Sequence, residues 1–168
     1  MTLQQKMLAK QSKKGFTLVE LVVVIAILAI LAAIAIPAVI GIINSATSSA
    51  GDSDASTLNN GCKTVYSGVK SGTIVNGDKD NAGSSITWAA NKGASNKDRT
   101  TKANAVTIEQ VQAYNGTSLA VDDLYYSTST KDSLHITKGT ILFSDTGSAP
   151  AGADKQLTKT TTLKDLYG

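Results

Sequence analysis

Few residues in this chain have the type and spacing to do chemistry. There is one cysteine, Cys62, and one histidine, His135. One thiol cannot close a disulfide within its own domain, and one His with one Cys cannot complete a structural zinc site. The run Asp78-Lys79-Asp80-Asn81-Ala82-Gly83 has the outline of a calcium loop. Ala82 holds a ligand position and Ala89 stands where the closing glutamate belongs, so the run reads as a solvated turn. No nucleophile with a base, carboxylate pair in an apolar setting, phosphate loop or metal cluster is legible, which argues against an enzyme and against a cofactor. One carboxylate remains conspicuous: Glu20 is the sole ionisable residue between Lys14 and Asp52, and it opens an apolar run. A carboxylate at bilayer depth is costly unless it finds a partner or lies near the interface.

The element that positions Glu20 is a long apolar helix. Every residue from Leu21 to Ile36 is apolar, and beyond Pro37 the apolar character resumes to Ile43. About 20 helical residues span a hydrocarbon core of about 30 Å, so this segment is long enough to cross a membrane. Lys6, Lys10, Lys13 and Lys14 precede it, the asymmetry that keeps an N-terminus cytoplasmic. A cleaved secretory signal would be shorter and followed by a small-residue site. A plain membrane anchor is the simplest alternative, with Glu20 favoured in the first turn by the helix dipole. Pro37 removes its own N–H and frees the carbonyl of Ala33, which predicts a kink.

Lys13-Lys14-Gly15-Phe16-Thr17-Leu18-Val19-Glu20-Leu21, followed by the apolar run and Pro37, resembles the class III signal of type IV prepilins and pseudopilins. The resemblance covers about the first 43 residues. It implies that a prepilin peptidase cuts after Gly15, that Phe16 becomes an N-methylated N-terminus, and that residues 1–15 are a cytoplasmic leader. It implies that Glu20 neutralises the terminal amine of a neighbouring copy and sets axial register during assembly. It also implies that the helix melts in part around Pro37 and Gly41 when packed in a filament. The expected partners are further copies of the chain in a helical filament, the peptidase, a pilus assembly platform with its motor, and the membrane before assembly. The precursor would be a single-pass protein of the inner or cytoplasmic membrane, and the assembled pilus extracellular.

Downstream, the helix is expected to continue as an amphipathic half over residues 44–71. Ala46, Ala50, Leu58, Cys62, Val65, Tyr66 and Val69 lie on one face, and Ser71-Gly72 is the stop. From Phe16 to Val69 this makes a rod of roughly 80 Å. Gly51 and Gly61 each cost that helix about 1 kcal/mol relative to Ala. Cys62 reads as a small buried apolar residue. Residues 72–103 read as loop, with a turn at Asn76-Gly77 and with Ile86 and Trp88 as anchors. Thr107 and Gln110 form a capping box that opens a short helix ending at Asn115-Gly116. Strands are expected at Leu124 to Ser127, at Leu134-His135-Ile136, at Thr140 to Phe143 and within Leu157 to Leu166. The fold class is therefore α+β: a long N-terminal helix packed on a small antiparallel sheet, the pilin fold the resemblance implies, with a head over residues 72–168.

The formal charge of +3 is not a nucleic-acid signal. Four of the sixteen basic residues precede Gly15, and without them 12 basic residues face 13 acidic ones. No basic stripe remains for phosphate, and no specific nucleic-acid partner is expected. The function implied is a structural subunit of a type IV pilus serving adhesion, surface motility or biofilm. The alternative is a pseudopilin of a type II secretion or competence DNA-uptake system. The C-terminal cysteine pair of many Gram-negative pilins is missing, which fits a Gram-positive pilin or a pseudopilin.

Overall fold

The computed structural model describes residues 16–129 and 136–168. The leader with Gly15, and Leu134 and His135 of one expected strand, lie outside the described residues. The chain divides into two compact units, residues 1–44 and residues 45–168. Helix α1, Leu18–Ser71, runs for 54 residues and contains Pro37. It stops as expected: Gly72 has a φ of 79°, a left-handed conformation that glycine adopts without a Cβ penalty. The Gly72 N–H then returns to the Val69 carbonyl at 3.2 Å and the Thr73 N–H to Gly68 at 2.9 Å.

In the second unit the core begins on one face of α1. Its buried residues are Gly51, Ala55, Leu58, Cys62, Val65 and Val69, in alternating steps of four and three. That face corrects the expectation at its start. Ala46 and Ala50 are exposed, and the stripe instead opens on Gly51 and Ala55, because Gly51 is where Phe143 comes against the helix. Ile74, Ile86, Val106, Ile108, Val111, Leu124, Ile141, Leu157, Leu163 and Leu166 complete the core, with Trp88 packed at its margin. Each fully buried large aliphatic contributes about 1.5–3 kcal/mol.

Helix α2, Asn96–Ala105, lies where loop was expected. Its sequence is almost wholly polar and buries only Ala103, so no apolar periodicity announces it. The local signal is Ser95: its hydroxyl accepts from the Asp98 N–H at 3.2 Å and donates to the Asp98 carboxylate at 2.6 Å. Helix α3, Ile108–Asn115, follows the capping-box expectation. Gln110 accepts the Thr107 N–H at 3.0 Å, the Gln110 N–H reaches the Thr107 hydroxyl at 3.4 Å, and Gly116 ends the helix at φ 67°.

Strands β1 (Leu124–Tyr126), β2 (Ile141–Phe143) and β3 (Lys155–Gln156) form an antiparallel sheet in the order β2-β1-β3. The third strand corrects the expectation of one within Leu157 to Leu166. The strand ends at Gln156. Beyond it, among the described residues, only the Leu157 N–H to the Leu124 carbonyl (2.7 Å) and an isolated Thr107–Thr162 bridge continue such pairing. Leu163–Tyr167 forms helix α4, which packs against α2. Leu163 and Leu166 are both fully buried, and their spacing of three suits one helical face rather than a strand. The Thr162 N–H and hydroxyl both donate to Asp165, at 2.9 and 2.7 Å, fixing the first turn. These bonds, the hydroxyl's first, hold the Asp165 carboxyl below its ordinary pKa. Thr128 does the same for Asp154 through its hydroxyl and N–H.

The outer edge of β2 is closed by a side chain of α1. Asn59 donates to the Ile141 carbonyl at 2.8 Å and accepts the Ile141 N–H at 2.9 Å, taking the place of a fourth strand at that residue. Asn59→Ala leaves both backbone groups without these partners. Because the site is only part-buried, the expected loss is about 1–2 kcal/mol. Denaturation of the detergent-solubilised full chain, followed by fluorescence of the single Trp88, reads it; an unchanged midpoint contradicts this account of the edge.

Candidate functional site

The first unit is built around the start of α1. Thr17 precedes Leu18, the first helical residue, and Glu20 is the third residue of the helix. The Thr17 N–H donates to Glu20 Oε2 at 2.9 Å, and the Thr17 hydroxyl donates to the same oxygen at 2.8 Å. In return the Glu20 N–H reaches the Thr17 hydroxyl at 3.2 Å. This is a reciprocal capping box, and it satisfies backbone donors that a helix start otherwise leaves orphaned. The carboxylate is thereby held over the N-terminal end of its own helix, where the macrodipole favours negative charge. Thr17 is the residue that sequence reasoning missed here. The Thr-x-x-Glu signature is plain in Thr17-Leu18-Val19-Glu20, but the apolar run after it drew attention to Glu20 alone.

Beyond the box, the first unit presents apolar side chains to its surroundings on all sides. Phe16 is 87% exposed, and exposed large hydrophobics continue to Ile43. Among the described residues, all exposed large hydrophobics fall between Phe16 and Ile43, and the second unit contributes none. A helix apolar on every face needs lipid or other helices around it. The segment is long and apolar enough to cross a membrane.

Pro37 and Gly41 both lie inside α1, whose helical assignment continues through them. Proline cannot donate to the Ala33 carbonyl, so one rung of the helical ladder is missing there. A Cβ built on Gly41 meets nothing within 4 Å, so no packing inside this chain demands glycine at that position.

The other candidate groups are structural. Cys62 is fully buried on the core face, and burial pushes its thiol up to about 12, far from a reactive thiolate. In the turn after Val75, Asp78 accepts the Val75 N–H at 2.8 Å. Asp80 Oδ1 accepts the N–H groups of Ala82 and Ser84 at 3.0 and 2.7 Å. Both carboxylates are engaged in shaping a turn. The rings of Tyr66 and Tyr167 lie 5.1 Å apart and those of Trp88 and Tyr114 6.2 Å apart, within the margin of the core.

Compared with known protein families, residues 10–36 match the prokaryotic N-terminal methylation motif. The match spans the segment that holds Gly15, Phe16, Thr17 and Glu20. No curated protein and no solved structure matches the chain.

Proposed function

We propose that the chain, which carries a prokaryotic N-terminal methylation motif on a helix long and apolar enough to cross a membrane, is a type IV pilin-like precursor and a structural subunit of an extracellular type IV filament. In this reading the peptidase cuts after Gly15 and Phe16 becomes the methylated terminus. The apolar part of α1 then leaves the membrane to pack against the same segment of other copies. The filament serves adhesion, surface motility or biofilm, and the assembly platform and motor are its other partners.

One observation carries the reading: an apolar surface exposed from Phe16 to Ile43, on a stretch of helix whose first turn holds Glu20, the sole ionisable side chain between those two residues. Lipid covers such a surface before assembly, and identical helices can cover it afterwards. The methylation motif also suits a pseudopilin, which shares the signal but builds a short assembly at the envelope.

The test is the N-terminus and mass of protein sheared from cell surfaces. A chain beginning at Phe16, with or without an added methyl group, is the expected result. An intact leader with protein confined to membranes reduces the molecule to an anchored ectodomain. A processed chain missing from the sheared fraction favours the pseudopilin.

A further inference from the structure

The Glu20 carboxylate is held by one of its two oxygens. The N–H of Thr17 and its hydroxyl, at 2.9 and 2.8 Å, both end on Oε2. Among the described residues no hydrogen bond ends on Oε1, which leaves that oxygen for a donor from outside the chain. The same hydroxyl also accepts the Glu20 N–H at 3.2 Å. The Thr17 carbonyl takes the first rung of α1, from the Leu21 N–H at 3.3 Å, so the residue that grips the carboxylate is itself fixed to the helix.

No other side chain of this stretch can do the same work. From Phe16 to Ile43 the only side chains with polar atoms are Thr17 and Glu20, and they are bonded to each other. Where lipid or further copies of the helix surround the stretch, water is excluded, and a carboxylate without donors is costly there. A free glutamate also samples many rotamers, and fixing one of them for a contact costs conformational entropy. Here the chain fixes its own carboxylate before any contact is made, which is how preorganisation strengthens an association.

We propose that Thr17 is a positioning residue for the contact between copies: its hydroxyl ties Oε2 to the helix start, so that Oε1 faces the ammonium on Phe16 of a second copy. The proposal rests on the reading of the chain as a filament subunit cut after Gly15. It adds a division of labour between the two oxygens, one bound within the chain and one offered to a charge-assisted bond from the next copy. The methylation motif over residues 10–36 calls for an amine at this end independently of the Thr17–Glu20 bonds.

The experiment compares Thr17→Ser, Thr17→Gly and Thr17→Val in the full chain produced in cells, with every yield expressed per processed chain. Sheared filaments and formaldehyde-linked ladders in membranes are scored separately. Serine keeps the hydroxyl and stays within about twofold of the parent, whereas glycine and valine both lose about tenfold. Glycine is the discriminating variant, because it caps a helix about as well as threonine but has no hydroxyl to hold a carboxylate. Thr17→Gly at the parent's level reduces Thr17 to a helix cap and overturns the proposal, and Thr17→Val at that level does the same. A parent missing from the sheared fraction, with the same order of variants in the membrane ladders, keeps the role of Thr17 and rejects the extracellular filament. A parent with neither sheared filaments nor ladders overturns both.

Discussion

Glu20→Ala is expected to leave membrane insertion and leader removal intact and to abolish filaments. The carboxylate sits at the first turn of an apolar helix that, in the proposed filament, is surrounded by copies of itself. In the proposed reading, cleavage after Gly15 would create an ammonium on Phe16, for which the carboxylate of a neighbouring copy would be the counter-charge. Removing one member of a buried ion pair strands the other and costs about 3–5 kcal/mol. At about 1.4 kcal/mol per decade, that reduces the association of each subunit by a factor of about a hundred to a few thousand. The Thr17–Glu20 box adds a complication, because alanine removes a helix cap as well as a charge. Glu20→Gln separates the two, since glutamine can still close the box but cannot neutralise an amine. The prediction is processed, membrane-inserted protein and no sheared filaments for both variants. Normal filaments from Glu20→Gln would leave the carboxylate with a capping role only, and normal filaments from Glu20→Ala would remove Glu20 from assembly altogether.

The first unit was legible because its signal is compositional. An unbroken apolar run from Leu21 to Ile36 after four lysines admits few physical readings, and the motif around Gly15 and Glu20 narrows them further. The capped helix at Thr107 was equally readable, since both of its cap residues are local in sequence. Helix α2 was not, because it is held by its Ser95 cap and one buried alanine rather than by an apolar stripe. The end of the chain misled for a different reason. Leu157, Leu163 and Leu166 are all buried, but they serve different elements, one just past β3 and two on α4. The role of Asn59 could not be read at all, because its partner Ile141 is 82 residues away.

Glycines of α1 show the same limit from another side, and they yield the second large effect. By helix propensity Gly51 and Gly61 are alike, each about 1 kcal/mol worse than alanine. The structure separates them. A Cβ on Gly51 would stand 2.2 Å from Phe143 Cγ, with Cδ2 and Cδ1 at 2.3 and 2.4 Å. Rotating the ring about its own axis gives no relief, because Cγ lies on that axis. The ring must swing away as a whole or β2 must shift, and β2 is pinned to α1 by Asn59 at Ile141, two residues before Phe143. On Gly61, the nearest atom is the side-chain nitrogen of Asn115 at 2.7 Å, the far end of a side chain that can turn aside. Overpacking of a core costs about 1–3 kcal/mol and sometimes more. Gly51→Ala is therefore expected to lose about 1–2 kcal/mol after its propensity gain. Gly51→Val, which adds two more methyls against the ring, loses about 3 kcal/mol or more. Gly61→Ala should stay within about 1 kcal/mol of the unmodified chain, as its propensity gain offsets the small displacement of Asn115. Denaturation of the solubilised full chain through Trp88 fluorescence measures all three. A double-mutant cycle with Phe143→Leu should show Gly51→Ala becoming milder, because the blocked ring is gone. If Gly51→Ala instead matches Gly61→Ala in both backgrounds, Gly51 is not where β2 docks on α1.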